Sequence, residues 1–361
     1  MSQVIELPRA TDGVLFSRNL ESILDRSWFI FHAYPQRLGT IEAILDGESI
    51  RSQFYGDYSS LDRLVQLSNS LLHDHSELAS SYLFAAQVDS ARHLFGDAQK
   101  KLERAKVLGA SERAISRIEL SIDQALGSNL DFVLQRRLDK VQSTNAIEDW
   151  VPLGALLADL GRYDEAHDAY IKGLHSYTNL SPLGLSWACF QLGYLWGEVV
   201  EEPDLDKASF WYTQAVNYLP GYTHASVHLA EIHLQNGKFG QARSLLNSVM
   251  ESGDPEARWR MSELLAAEGN ISASEVELEA ARLMYEDLLS RHELAFADHA
   301  AEFYLGSGNK PVRALELSLL NLQNRSTIGA YEQAIEAAQA AGNPELTEKL
   351  TSEFTQKWGS A

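Results

Sequence analysis

Cysteine is almost missing from this chain of 361 residues: the single Cys189 has no internal disulfide partner and cannot supply a thiolate zinc cluster. That usage fits a reducing compartment, so a cytoplasmic location is expected. Positive charge is also scarce, with 30 Lys and Arg against 50 Asp and Glu and a net charge of -20. A protein that neutralises phosphates shows the opposite balance, so no nucleic-acid partner is expected. No stretch approaches the roughly 18 consecutive apolar residues that span a bilayer. The start, MSQVIELPRATDG, has no basic segment followed by an apolar run, so neither membrane insertion nor a secretory leader is expected. Phosphate-cradling and nucleophile-elbow runs of the types GxxxxGK[ST], GxGxxG and GxSxG do not occur, which leaves no cofactor to expect.

What remains is ample material for a core: 45% of residues are hydrophobic and 22% charged. The length suggests two or three domains at roughly 150 residues each, unless a repeat makes that division meaningless. Only 9 Pro and 23 Gly punctuate segments rich in Ala, Leu, Glu and Gln, in which apolar residues recur at three and four. In LAEIHLQNGKFGQARSLLNSVM, Leu229, Ala230, His233 and Leu234 form one stripe, Gly237 interrupts, and Ala242, Leu245, Leu246 and Val249 form a second. Two short amphipathic helices in a hairpin cannot bury both faces alone, so neighbours must stack on them. A fixed period tests that. A small residue, a large one four later and a small or apolar one seven later occur as Ala98/Leu102/Ala105, Ala166/Tyr170/Gly173, Ala208/Tyr212/Ala215 and Ala242/Leu246/Val249. The first interval is 68 residues, the last is 34, and the middle one is 42, which describes a helical repeat of 34 with an insertion.

The run WVPLGALLADLGRYDEAHDAYIKGL, with Trp150, Leu153, Gly154, Leu157, Gly161, Tyr163, Ala166, Tyr170 and Gly173, resembles the tetratricopeptide repeat nearly position by position. Small Gly154 would let the first helix approach its partner, Trp150 and Leu153 would fill the hairpin, and Ala166 would sit where the helices are closest. A second unit, LGYLWGEVVEEPDLDKASFWYTQAVNYLPGY, has a longer turn and carries Asp206, Lys207, Ala208, Trp211, Tyr212 and Ala215. It is similar to the Sel-one-like variant of the same class, over about 186–220, and Pro220 closes its second helix. The resemblance implies an all-α fold, an α-solenoid of stacked antiparallel helix hairpins wound as a right-handed superhelix. It is strongest over 145–253. About eight hairpins follow from Ser76 onward, ending in a capping pair at Tyr331–Ala341 and Pro344–Trp358. The expected division is a non-repeat helical cap at 1–72, including helices in SWFIFHAYPQRLGTI and SSLDRLVQLSNSLL, and a repeat domain at 73–361.

Charge is uneven, since residues 144–361 hold 31 acids and 14 bases while 71–143 hold 10 of each. A solvated acidic exterior explains this as solubility. The resemblance adds a functional reading, because in this class the first helix of each hairpin lines the concave face and its positions two, five, nine and thirteen face a ligand. Matching positions give Glu148 and Asp159, then Trp187, Phe190, Tyr194 and Glu198, then His224, Val227 and Glu231, and lastly Asp298 and Glu302. Aromatic side chains beside carboxylates suit a peptide with apolar anchors and Lys or Arg. Aromatics at helical spacing also make ordinary inter-repeat core, so Trp187, Phe190 and Tyr194 have both readings. Some family members hold a C-terminal carboxylate with Lys, Arg and Asn. Here Glu148, Val151, Ala155, Val227 and Glu231 stand in those places, so that clamp is lacking. Basic clusters at Lys100, Lys101, Arg104 and Lys106, and at Arg136, Arg137 and Lys140, fall on second helices and read as a solvated face.

The reading is a non-catalytic scaffold that binds a protein or peptide, basic with apolar anchors, in an acidic and aromatic groove. The alternative is a metal-dependent enzyme or metal sensor using His224 and His228, four apart on one helix with Glu231 three further on. Ala225 stands where a zincin motif needs Glu. His73 and His75, flanking Asp74, read as helix-ending residues, and Cys189 as a buried, inert one.

Overall fold

A computed structural model of the protein describes residues 7–34 and 38–359. Every regular element among them is helical. Three helices come first: α1 (Gly13–Ala33), α2 (Ile41–Tyr55) and α3 (Ser59–Asp74). There follow α4 (Ala79–Ala91) and α5 (Phe95–Val107), which form a hairpin, then α6 (Glu112–Leu126) and α7 (Leu130–Thr144), then a hairpin of α8 (Ile147–Asp159) with α9 (Tyr163–Ser176). Next come α10 (Pro182–Tyr194) with α11 (Leu205–Tyr218), α12 (Thr223–Gln235) with α13 (Phe239–Val249), and α14 (Pro255–Ala267). The long α15 (Ile271–Leu305), α16 (Pro311–Asn324), α17 (Ile328–Ala340) and α18 (Pro344–Trp358) complete the order. The long α15 breaks at His292 (φ -141°, ψ 51°), and among the described residues α4 packs on α5, α8 on α9, α10 on α11, α12 on α13, α15 on α16 and α17 on α18. The expected helix across Ser27–Ile41 is α1 up to Ala33 and a tight turn at Leu38–Thr40, while residues 35–37, like residues 1–6 of the start, lie outside the described residues.

Local chemistry explains the hairpins. The turns at Gly161 (φ +71°) and Gly237 (φ +67°) use the left-handed conformation that glycine adopts at no steric cost. Asp204 caps α11 by accepting the amide of Lys207 at 3.0 Å, and Ser181 caps α10 with Pro182 at its first position. Close approach follows from missing side-chain atoms. A Cβ on Gly154 would lie 2.5 Å from the Tyr170 ring, and one on Gly193 would lie 2.5 Å from the Tyr212 ring. The same interlock thus holds α8 to α9 and α10 to α11, with both tyrosines fully buried. Each such side chain is worth roughly 2–3 kcal/mol of burial. Trp150 fills less of its hairpin than expected: it is half-buried and donates its indole N–H to Asn145 at 2.9 Å.

Two compact units form, Met1–Asp57 with Leu134–Arg260, and Tyr58–Val133 with Met261–Ala361. A boundary at 72/73 falls inside α3. In the first unit α1 and α2 lie against α10–α12: the Phe54 and Tyr222 rings are 4.8 Å apart, Tyr218 Oη donates to the Pro8 carbonyl at 2.6 Å, and the Thr11 amide donates to Leu180 at 2.7 Å. In the second unit α3 packs on α4. There Tyr58 meets Phe296 at 4.7 Å and Asn324 donates to the His93 carbonyl at 3.1 Å. A simple stack joins only neighbours. Here each unit is also closed by contacts some 200 residues apart in the chain.

Candidate functional site

The site is built where α10 runs on into a π-turn, Leu195–Val199, before the connection to α11. An i→i+5 turn inserts a residue and re-aims those that follow, and such turns recur at functional sites. It carries Trp196 and Glu198. Glu198 is 39% exposed, yet one of its oxygens is held from inside: Oε1 accepts the Tyr212 hydroxyl at 2.9 Å and lies 2.7 Å from His228 Nδ1. His228 stacks on Tyr212 with centroids 5.4 Å apart and meets Phe190 edge-on at 5.7 Å. Phe190 in turn stacks with Tyr194 at 6.3 Å and sits 6.3 Å from the His224 ring.

Electrostatics make this cluster unusual. Burial alone would push the His228 pKa down, but Glu198 in direct contact, then Glu256 and Glu231, overcome it and raise it to about 10. The imidazole is therefore a standing cation at neutral pH. Burial and the neighbouring Glu198 push the Tyr212 hydroxyl well above its ordinary range, so it stays a donor. Burial raises the Glu231 carboxyl despite the opposing pull of Arg260 and His228. Arg260 Nη2 spans Glu231 at 3.1 Å and Glu256 at 3.3 Å, its guanidinium lying 3.9 Å over the Trp259 ring. His224 Nδ1 lies 3.6 Å from Asp254. Four carboxylates thus surround two cations, and the balance is negative.

Phe190, Tyr194, Glu198, His224 and Glu231 come together around His228 in the first unit. Trp187 is half-buried against the core, Phe190 bridges core and surface, and Tyr194 is 40% exposed. Glu148 and Asp159 are exposed on α8, the charge of Asp159 lying near half-buried Arg137 of α7. Val227 is fully buried. Asp298 and Glu302 belong to the second unit, where Asp298 binds Arg325. Burial would raise the Asp298 carboxyl, but His299, Arg325 and His93 hold it down at about 2. Lys101 is not simply solvated, since it pairs with Asp89. His224 and His228 turn to different carboxylates, and among the described residues no three metal-binding side chains converge. Cys189 is fully buried, which pushes its thiol pKa up. His73 and His75 do end a helix: α3 stops at Asp74, and the His75 amide donates to Leu71 at 2.9 Å.

In the sequence Tyr212 has only the signature of a repeat position, and Arg260, Asp254 and Glu256 carry no signal. The pointer to this place was the 42-residue interval from Ala166 to Ala208, which holds the π-turn.

These features define a helical-repeat protein with a charged and aromatic face. Residues 200–261 match the tetratricopeptide repeat family model, so α11–α13 and the start of α14 carry that repeat. No curated protein matches the chain. Among solved structures it is similar to the Cut9–Hcn1 hetero-tetramer of APC/C (14% identity, 94% of this chain and 66% of that one, TM-score 0.46). It is also similar to pilF of Pseudomonas aeruginosa (14% identity, 62% and 97%, TM-score 0.43) and to yeast Tom70 (10% identity, 94% and 92%, TM-score 0.33).

Proposed function

We propose that the chain is a non-catalytic, cytoplasmic scaffold that binds a basic protein segment on the face formed by α10, the π-turn and α12. The observation that carries this reading is Glu198. His228 and Tyr212 hold its Oε1, so the carboxylate is fixed in place while it stays partly exposed beside Tyr194 and Phe190. A preset carboxylate next to aromatic surface favours a lysine or arginine whose stem lies on the rings, with Glu231 adding field. The tetratricopeptide match supports a protein partner in general. Its long α10–α11 connection and the Asp206–Ala215 pattern support reading 186–220 as the Sel-one-like variant.

The test is calorimetric titration of the full chain with an amphipathic lysine-rich peptide at two salt concentrations. Binding should weaken at least tenfold in Glu198→Lys with Glu231→Lys, and should weaken with salt. Unchanged affinity in the double variant removes the acidic-face reading.

A further inference from the structure

The π-turn presents a second side chain, Trp196, and a cavity of about 710 Å³ opens beside it. The cavity lies between the α8–α9 turn and the α10–α11 connection, inside the first unit, and is walled by Trp196 and Tyr163 with Asp164, Glu201 and Glu202 around them. Arg162, also on its lining, is committed to Glu165 through two bonds of 2.7 Å. Trp196 is held rigidly: its indole N–H donates to His167 Nδ1 at 3.1 Å and its carbonyl accepts the Asp204 amide at 2.8 Å. Burial lowers the His167 pKa, which keeps that nitrogen an acceptor at neutral pH. The molecule already shows what this ring attracts, because Lys207 Nζ lies 3.8 Å over it while pairing with Asp204 at 3.1 Å.

Among the described residues Asp164, Glu201 and Glu202 make no ion pair, and with Arg162 and Glu165 cancelling, the lining is net negative. A flat aromatic wall and unpaired carboxylates on one cavity match the planar, forked guanidinium better than a compact ammonium. The volume exceeds one side chain and accommodates the residues that flank it. We infer that this cavity is a second recognition site, separate from the Glu198 face, that takes an arginine of a basic peptide segment between Trp196, Tyr163 and the carboxylates of Glu201 and Glu202.

The test follows the Trp196 indole N–H resonance of ¹⁵N-labelled full-length protein, identified with Trp196→Phe. The titrants are acetyl-Gly-Arg-Gly-Arg-Gly-amide and the same peptide with citrulline, a neutral isostere, in place of arginine. The arginine peptide should shift the resonance saturably, the citrulline peptide should not, and Glu201→Gln with Glu202→Gln should weaken binding at least tenfold. Both glutamates are exposed, so this variant keeps its fold. No saturable shift, an equal response to citrulline, or no effect of the double variant would each overturn the site. Glu198→Gln separates the two readings, since it should leave this titration unchanged, and loss of the shift there also overturns the proposal.

Discussion

The two units set histidine in opposite electrostatic company. In the first, His228 lies among Glu198, Glu231 and Glu256 and stays charged. In the second, His292 accepts from Arg92 at 3.1 Å and lies 2.9 Å from Asp62, and His93 lies 3.0 Å from the Leu294 carbonyl near Arg325. Burial, with Arg325 adding to it, lowers His93 to about 4, while burial and Arg92 outweigh Asp62 and lower His292 as well. One residue type is thus a fixed cation in one unit and a neutral hydrogen-bonding pin in the other. Placement alone, through the sign of the nearest partners, decides what a buried imidazole contributes.

Alkali should separate the units most. The folded value of His228 lies above its ordinary 6.5, so its stabilisation is complete below pH 6.5 and disappears as pH rises to about 10. At most about 5 kcal/mol is at stake. Hydrogen-exchange protection of α10–α12 should fall over that window, and Glu198→Gln should flatten the dependence. Equal alkaline loss in α15–α17 would break the comparison. His167 and His233 of the first unit are also held down by burial, so the alkaline limb is the diagnostic one.

Mild acid gives the converse, with a smaller effect. The folded value of His93 lies below 6.5, so its contribution is present above pH 6.5 and is lost on descent to about 4, a loss of at most about 3 kcal/mol. Asp298, held at about 2, extends the loss further down. His93→Asn, which tolerates the positive φ of 57°, should shrink the limb between pH 6.5 and 4 in urea titrations and leave the part that His292, His167 and His233 contribute. A limb that survives this change belongs to other groups.

Glycine sharpens the comparison in packing terms. Gly193→Ala drives a Cβ into buried Tyr212 and should cost about 1–3 kcal/mol, with partial rescue by Tyr212→Leu. Gly96→Ala on α5 meets nothing and should be neutral or slightly stabilising in thermal melts. Smallest is a contrast between adjacent lysines. Lys101→Ala, which strips buried Asp89 of its partner, should cost about 1 kcal/mol, whereas Lys100→Ala should leave Tm unchanged.

The hairpins were readable because small and large residues recur at helical spacing: Ala98, Ala166, Ala208 and Ala242 are all fully buried where two helices meet. Glu198 and Phe190 were readable through a resemblance that says which helix positions face outward. Closure by α1 and α2 was not, because Phe54–Tyr222 and Tyr218–Pro8 join residues some 170 and 210 apart, and no local period records such a pairing. The anchoring of Glu198 by Tyr212 and His228 was also hidden. It depends on a π-turn, which shifts side-chain direction by one residue and leaves in the sequence only an interval that is too long. Asp298 shows the opposite failure, a position whose helix register suggests a ligand contact but whose carboxylate is taken by Arg325.

Synthesis runs in one direction, and the closure of the first unit therefore imposes a delay. The carbonyl of Pro8 waits 210 residues for Tyr218. At roughly 5–20 residues per second, α1 and α2 emerge about 10–40 s before the surface that buries them. During that interval Phe54 and its neighbours are exposed on a growing chain, so the order of translation, and not only the final packing, asks something of the residues made first.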